Sequence, residues 1–232
     1  MSALSILGQV RQGEKMKTKT NTQKLMLCSM MIAIATVLAL ICEYVPFLNL
    51  PFGGGFTVAS MLPIVLVSYM FGIKWGLGCA FTYSIVQMLV GFRTVSAFFM
   101  PADDNYAGSL VAALGICFID YVLAYTLLGL GGLFRGVKNK TLGIVICVIF
   151  ALSLRYIAHI VSGYIFFGAW AEWFFTQDGF YAIGHGILST FSGGALSLVY
   201  SIFYNGLFMI PEIVITSIVA IPVSRLPQIK KA

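Results

Sequence analysis

Apolar residues run through this chain in long stretches separated by short polar or glycine-rich intervals, and the lengths of those stretches set the first reading. One runs from about Lys24 to Cys42, close to the roughly 20 residues that cross a hydrocarbon core. The loop from Glu43 to Thr57 carries Pro46, Pro51 and the three successive glycines Gly53 to Gly55, which reach backbone conformations closed to other residues and can fold tightly over a site. Ala59 to Ile73 is apolar but only 15 residues long, either a short span or a re-entrant element. Trp75 to Phe92 is a clearer helix, with Lys74 in the turn before it and Gln87 as its one strongly polar member. After an extramembrane loop, Arg93 to Ala107, a fourth apolar segment runs from Gly108 to Leu133, interrupted by Asp120. The fifth, Leu142 to Phe167, is long enough to need tilt and holds Arg155 and His159. A loop from Ala169 to Gly194 has Trp170 and Trp173 but no Lys or Arg, and the last span, Ala195 to Val223, contains Pro211 and Glu212.

The pattern predicts an all-α integral membrane protein, a six-helix bundle over residues 24–224 between a basic N-terminal segment, 1–23, and a short basic tail, 225–232. Composition agrees: 59% of residues are hydrophobic, 9% are charged and the mean hydropathy is +0.96, outside the range of soluble domains. The net charge of +6 then reports topology rather than a nucleic-acid partner. Twelve of the fourteen Lys and Arg fall on one face if the six segments alternate, which places both termini in the cytoplasm. Removing segments two and three together leaves this parity unchanged. The opposite face carries Glu43, Asp103, Asp104, Glu172 and Asp178 against Arg93 alone, an acidic mouth that favours a cationic ligand. The first apolar run exceeds a usual signal-peptide core and reads as an uncleaved helix, while the basic residues before it suit anionic lipid. Five cysteines lie within apolar segments with no CxxC pair, so neither disulfide nor metal chemistry is expected, and no cofactor is implied.

Ionisable residues at bilayer depth are functional by default, because each needs a partner in a medium without water. Arg155, His159, Gly163 and Phe167 recur every four positions and line one face of the fifth helix. The fourth helix offers Asp120 with Tyr121 beside it, and the sixth offers Tyr200, Tyr204 and Asn205. Tyr200 and Asn205 lie roughly 140° apart on an ideal helix, so both reach one ligand only across a broad face or a local distortion. Asp120 and Arg155 are alternatively a structural ion pair, and His159 is alternatively a core histidine or a proton relay. Glu212, deeper than Asn205, reads as structural or partner-facing. On the first helix Ala35 and Ala39 form a small-xxx-small pair that serves either packing or a partner helix. Enzyme signatures are absent: no HExxH, no GxSxG and no nucleotide-binding GxxxxGK[ST] loop. Residue chemistry alone therefore reaches a binder of a small polar, cationic molecule, with a self-sufficient proton-coupled carrier as the competing reading.

Five stretches carry a further resemblance: LPFGG at 50–54, MLPI at 61–64, IDYVLAY at 119–125, LRYIAHIVSG at 154–163 and YSIFYN at 200–205. In this order, within about residues 24–224, the chain resembles the thiamine-specific substrate-binding subunits (S-components) of energy-coupling factor (ECF) transporters. The resemblance implies capture of thiamine outside the cell, in a pocket at the outer ends of helices four to six closed by the loop after helix one. It implies a bacterial plasma-membrane location and, as partners, a transmembrane coupling subunit docking on the small-residue face at Ala35 and Ala39, with two ABC-type ATPases. Ligand contacts carry over onto Asp120, Tyr121, Arg155, His159, Gly163, Tyr200 and Asn205, and onto Phe167 where the family can have Trp. Phe52 or Phe56 is the candidate to cover the site, and Trp170 is a further candidate ligand contact with its role open. An S-component for another vitamin is the nearest alternative.

Overall fold

The structure is a computed structural model that describes residues 20–45, 48, 55–100 and 108–230, and its regular elements are all helices. The chain opens with α1 (Asn21–Glu43), then α2 (Leu62–Phe71), α3 (Ile73–Val90) and the short α4 (Phe92–Ala97). There follow α5 (Leu110–Phe134), α6 (Lys140–Phe166), the small α7 (Ala171–Phe175) and α8 (Tyr181–Thr190), α9 (Gly193–Val223) and α10 (Pro227–Lys230). Five of these, α1, α3, α5, α6 and α9, are long and apolar enough to cross a membrane.

Caps explain why several helices begin outside the apolar runs. Thr20 and Gln23 form a reciprocal capping box that starts α1 at Asn21, inside the expected N-terminal segment. Asn139 Oδ1 accepts from the Leu142 N–H at 3.1 Å and starts α6 at Lys140 rather than Leu142.

The apolar stretch from Ala59 to Ile73 makes only a ten-residue helix, α2, about 15 Å long and too short for a core of about 30 Å. Residues 55–61 enter ahead of it without helical structure. At its far end Gly72 alone separates α2 from α3, with φ 89° and ψ 171°, a conformation that side-chain-bearing residues rarely adopt. Lys74 therefore sits in the first turn of α3, not in a turn before it.

The ends flanked by basic residues meet at one end of the bundle. Lys24 Nζ lies 5.8 Å from the Trp75 ring, a Cβ at Gly72 would come within 2.6 Å of Arg135, and Thr141 and Ser224 share a hydroxyl hydrogen bond of 2.8 Å. Packing there is tight. Ser68 Oγ donates to the Gly129 carbonyl and accepts from the Gly132 N–H at 2.9 Å, so side-chain hydroxyl and backbone lock together where α5 crosses α2. Leu128, Ile144, Cys147 and Val65 fill the surrounding core with no exposed surface.

The small-residue pair on α1 is spent inside the chain. Ala35 is 0% and Ala39 3% exposed, and Tyr83 of α3 donates to the Ala35 carbonyl at 3.4 Å. Small side chains let helix axes approach closely, and here the close neighbour is α3. Ala33 lies on the exposed side of the same helix.

Candidate ligand-binding site

The winding of α5 changes where it carries chemistry. Between α-helical turns at Leu110–Ile116 and Ala124–Thr126, residues Cys117–Leu123 are π-helical. A π turn bonds i to i+5, takes one more residue than an α turn, and recurs at functional sites. The wider turn brings Asp120, Tyr121 and Tyr125 to one side, and all three line a cavity of about 1090 Å³.

Asp120 binds two side chains of α6. Its Oδ1 lies 2.7 Å from His159 Nδ1, and its Oδ2 accepts from Ser162 Oγ at 2.6 Å. The ion pair of Asp120 with Arg155 weighed from the sequence is therefore not formed. Arg155 lies four residues, about 6 Å, deeper on α6, and reaches Tyr125 instead. Nη2 donates to the phenol oxygen at 3.0 Å and Cζ sits 4.3 Å from the ring centroid. Nη1 contacts Met61 Sδ at 2.8 Å. The guanidinium is thus set against an aromatic face, a cation–π arrangement.

Much of the remaining cavity wall is aromatic, with Glu43, Gln87, Arg93 and Thr94 adding polar groups. Phe174 of α7 packs edge-on to Tyr200 and Tyr204 of α9 at 5.3 and 5.7 Å, and those two tyrosines lie 5.6 Å apart. Trp170 and Trp173 meet at 5.7 Å, and His159 meets Phe208 at 5.9 Å. All of these residues line the cavity, together with Gly55, Phe56 and Thr57 from the segment before α2. A carboxylate and an imidazole on one side, faced by π surfaces on the other, suit a flat cation with hydrogen-bonding edges.

Residues 25–173 match the family described as Thiamine transporter protein (Thia_YuaJ). The chain belongs to that family. Over 200 residues it is 30% identical to the thiamine transporter ThiT of Bacillus subtilis (strain 168), covering 81% of this chain and 85% of the relative. The matched stretch includes the π-helical turn, the Asp120 cluster and the segment before α2. Belonging to a thiamine transporter family fits the apolar helices and makes the chain a multi-pass membrane protein with a transport role.

In this member of the thiamine transporter family the remaining expected residues are placed as follows. Asn205 is buried and its Nδ2 is ringed by the His159 carbonyl at 3.2 Å, the Ser201 carbonyl at 2.9 Å and Ser201 Oγ at 3.2 Å. With both amide hydrogens committed, Oδ1 is what Asn205 can offer, an acceptor. Tyr200 and Asn205 both reach the cavity while α9 stays α-helical through Pro211, so breadth of the face, not distortion, reconciles them. Gly163 lines the cavity, but its missing side chain serves packing. A Cβ there would collide with Ser201 and lie 3.1 Å from Asn205 Nδ2. Phe167 caps α6 and meets Phe98 edge-on at 6.3 Å. Phe52, Asp103 and Asp104 lie outside the described residues.

The structure adds members that sequence reasoning passed over. Ser162 is three residues from His159 and so on its face, a spacing that would have found it. Tyr125 lies five residues after Asp120, and the π turn between them leaves both on the cavity wall. Phe174 and Trp173 come from the loop 169–194, which folds into a 3-10 turn at Gly168–Trp170 followed by α7 and α8. Gln87 and Arg93 also line the cavity.

Proposed function

We propose that this chain captures thiamine at the outer side of a bacterial plasma membrane, as the substrate-binding subunit of an ECF transporter. The observation that carries the reading is the Asp120 carboxylate, held by His159 and Ser162, in a cavity that also presents the rings of Phe167, Trp170, Trp173, Phe174, Tyr200 and Tyr204. Thiamine has a permanently cationic thiazolium, which gains from aromatic faces and a nearby carboxylate. Its aminopyrimidine carries an exocyclic amine that can donate to Asn205 Oδ1. Its ring nitrogens match His159 Nε2, which is buried and has no partner among the described residues. Phe167, Tyr200 and Trp170 offer rings for stacking, and Phe56 covers the side nearest α2.

The proposed topology has six passes, with α2 and the segment before it acting together as the second, and with both termini cytoplasmic. The contacts joining Lys24, Gly72, Arg135, Thr141 and Ser224 support it, because they gather the basic flanks on one face as the positive-inside rule requires. The proposed partners are a transmembrane coupling subunit and two ABC-type ATPases. Docking is proposed on the exposed side of α1 around Ala33, since Ala35 and Ala39 are already packed.

Purified full-length chain is expected to bind labelled thiamine in equilibrium dialysis with one site per chain, and to transport it in liposomes only with the coupling subunit and ATPases present. Binding of riboflavin or biotin with none of thiamine rejects the ligand. The hydrogen-bonded His159 and Asp120 give a specific reason to keep the proton-coupled carrier as the second reading, and uptake by this chain alone under a pH gradient would establish it.

A further inference from the structure

Glu212 lies outside the cavity lining, nearly two turns of α9 beyond Asn205, and is only 1% exposed. A buried carboxylate is costly unless its oxygens are satisfied, and among the described residues no cation pairs with this one. Its partners are backbone amides of the segment before α2. Oε2 accepts from the Thr57 N–H at 2.8 Å and Oε1 from the Ala59 N–H at 3.2 Å, and Thr216, one turn along α9, donates its hydroxyl to Oε1 at 3.2 Å.

The turn that presents those amides is strained. Val58 and Ala59 have φ of 29° and 61°, and positive φ in a β-branched residue is a genuine outlier that persists only where its surroundings impose it. Nearby N–H groups converging from such a turn form a concave anion-binding nest. Here the anion is a side chain of the same polypeptide, 155 positions away from Thr57. Non-helical backbone at membrane depth needs such acceptors, because lipid supplies none. Directly before the turn, Gly55, Phe56 and Thr57 line the cavity, and directly after it Met61 contacts Arg155.

We propose that Glu212 is a positioning residue for ligand capture: its carboxylate clamps the turn at 57–59 and thereby holds Phe56 against the cavity, without touching the ligand. The proposal takes thiamine as the ligand from the reading above. The clamp itself is independent of that choice. Without the carboxylate, Val58 and Ala59 relax toward ordinary dihedrals and Phe56 leaves the wall, while the Asp120 and aromatic walls stay in place. Release therefore speeds up and capture does not slow.

The test uses the full chain in lipid nanodiscs, with Glu212→Gln, Phe56→Ala and the double variant, read by hydrogen exchange over 55–61 and by chase of labelled thiamine. Glu212→Gln is expected to raise exchange at Thr57 and Ala59 and to speed thiamine release about ten- to a hundredfold, with the association rate within about twofold. The double variant is expected to release no faster than the faster single variant, because both changes remove one wall. Release factors that multiply, or unchanged exchange and release in Glu212→Gln, overturn the proposal. Should Glu212→Gln not fold, Thr216→Val, which removes only the hydroxyl orienting Oε1, is expected to shift exchange and release in the same direction by a smaller factor. No shift in either overturns it. Failure of the native chain to bind thiamine would reject the ligand alone, and exchange at Thr57 and Ala59 would still decide the clamp.

Discussion

The two halves of α5 solve opposite problems with one helix. At Cys117–Leu123 it widens into a π turn and carries Asp120 and Tyr121 toward a cavity, while at Leu127–Phe134 it tightens into a 3-10 helix whose glycines press against α2 and α3. The wide half has polar partners on α6. The tight half leaves no room for a side chain, since a Cβ at Gly129 would fall within 2.6 Å of the backbone at Gly76 and Leu77. The comparison shows how a bundle with few charges separates recognition from rigidity: the open end spends polar groups, the closed end spends glycines and one serine.

Bulk added to the tight half has the largest expected effect. Gly132→Val places a Cβ against the Ser68 side chain and backbone, so the cost is expected at or above about 3 kcal/mol, the upper range of overpacking. Size-exclusion profiles and thermal melts should show most folded protein lost. Asp120→Asn, in the wide half, is expected to leave the melt within a few degrees and to weaken thiamine binding about a hundredfold. A large loss of stability without loss of affinity in the folded fraction would reverse the assignment of the two halves. The smallest effect belongs to Arg155→Lys. An ammonium keeps the charge but loses the fork that spans Tyr125 and Met61, so affinity should fall about tenfold by titration.

Much of this was legible in the sequence because the bilayer simplifies the grammar. Five apolar runs became α1, α3, α5, α6 and α9 within a few residues, since length against core thickness decides a span almost alone. Periodicity on α6 placed Arg155, His159, Gly163 and Phe167 on the cavity side. Partners were harder, because they depend on register between helices. Asp120 and Arg155 looked like natural counterions, yet the offset along α6 gives the carboxylate to His159 and Ser162. The π turn that recruits Tyr125 leaves no mark in hydropathy. Ala35 and Ala39 had the right spacing for an interface, but spacing says nothing about which way the face turns, and it turns inward. Likewise the run of polar and aromatic residues at 169–194 concealed α7 and the ring of Phe174.

The distribution of tryptophan has an optical consequence. The chain has three tryptophans: Trp170 and Trp173 line the cavity, while Trp75 sits beside Lys24 at the opposite end of the bundle. Intrinsic fluorescence thus comes with its own reference. A ligand entering the cavity changes the emission of the first two indoles and leaves the third unchanged, whereas melting of the basic end changes Trp75 first. Spectra of Trp75→Phe and of the double Trp170→Phe, Trp173→Phe variant would separate occupancy from unfolding in a single unlabelled sample.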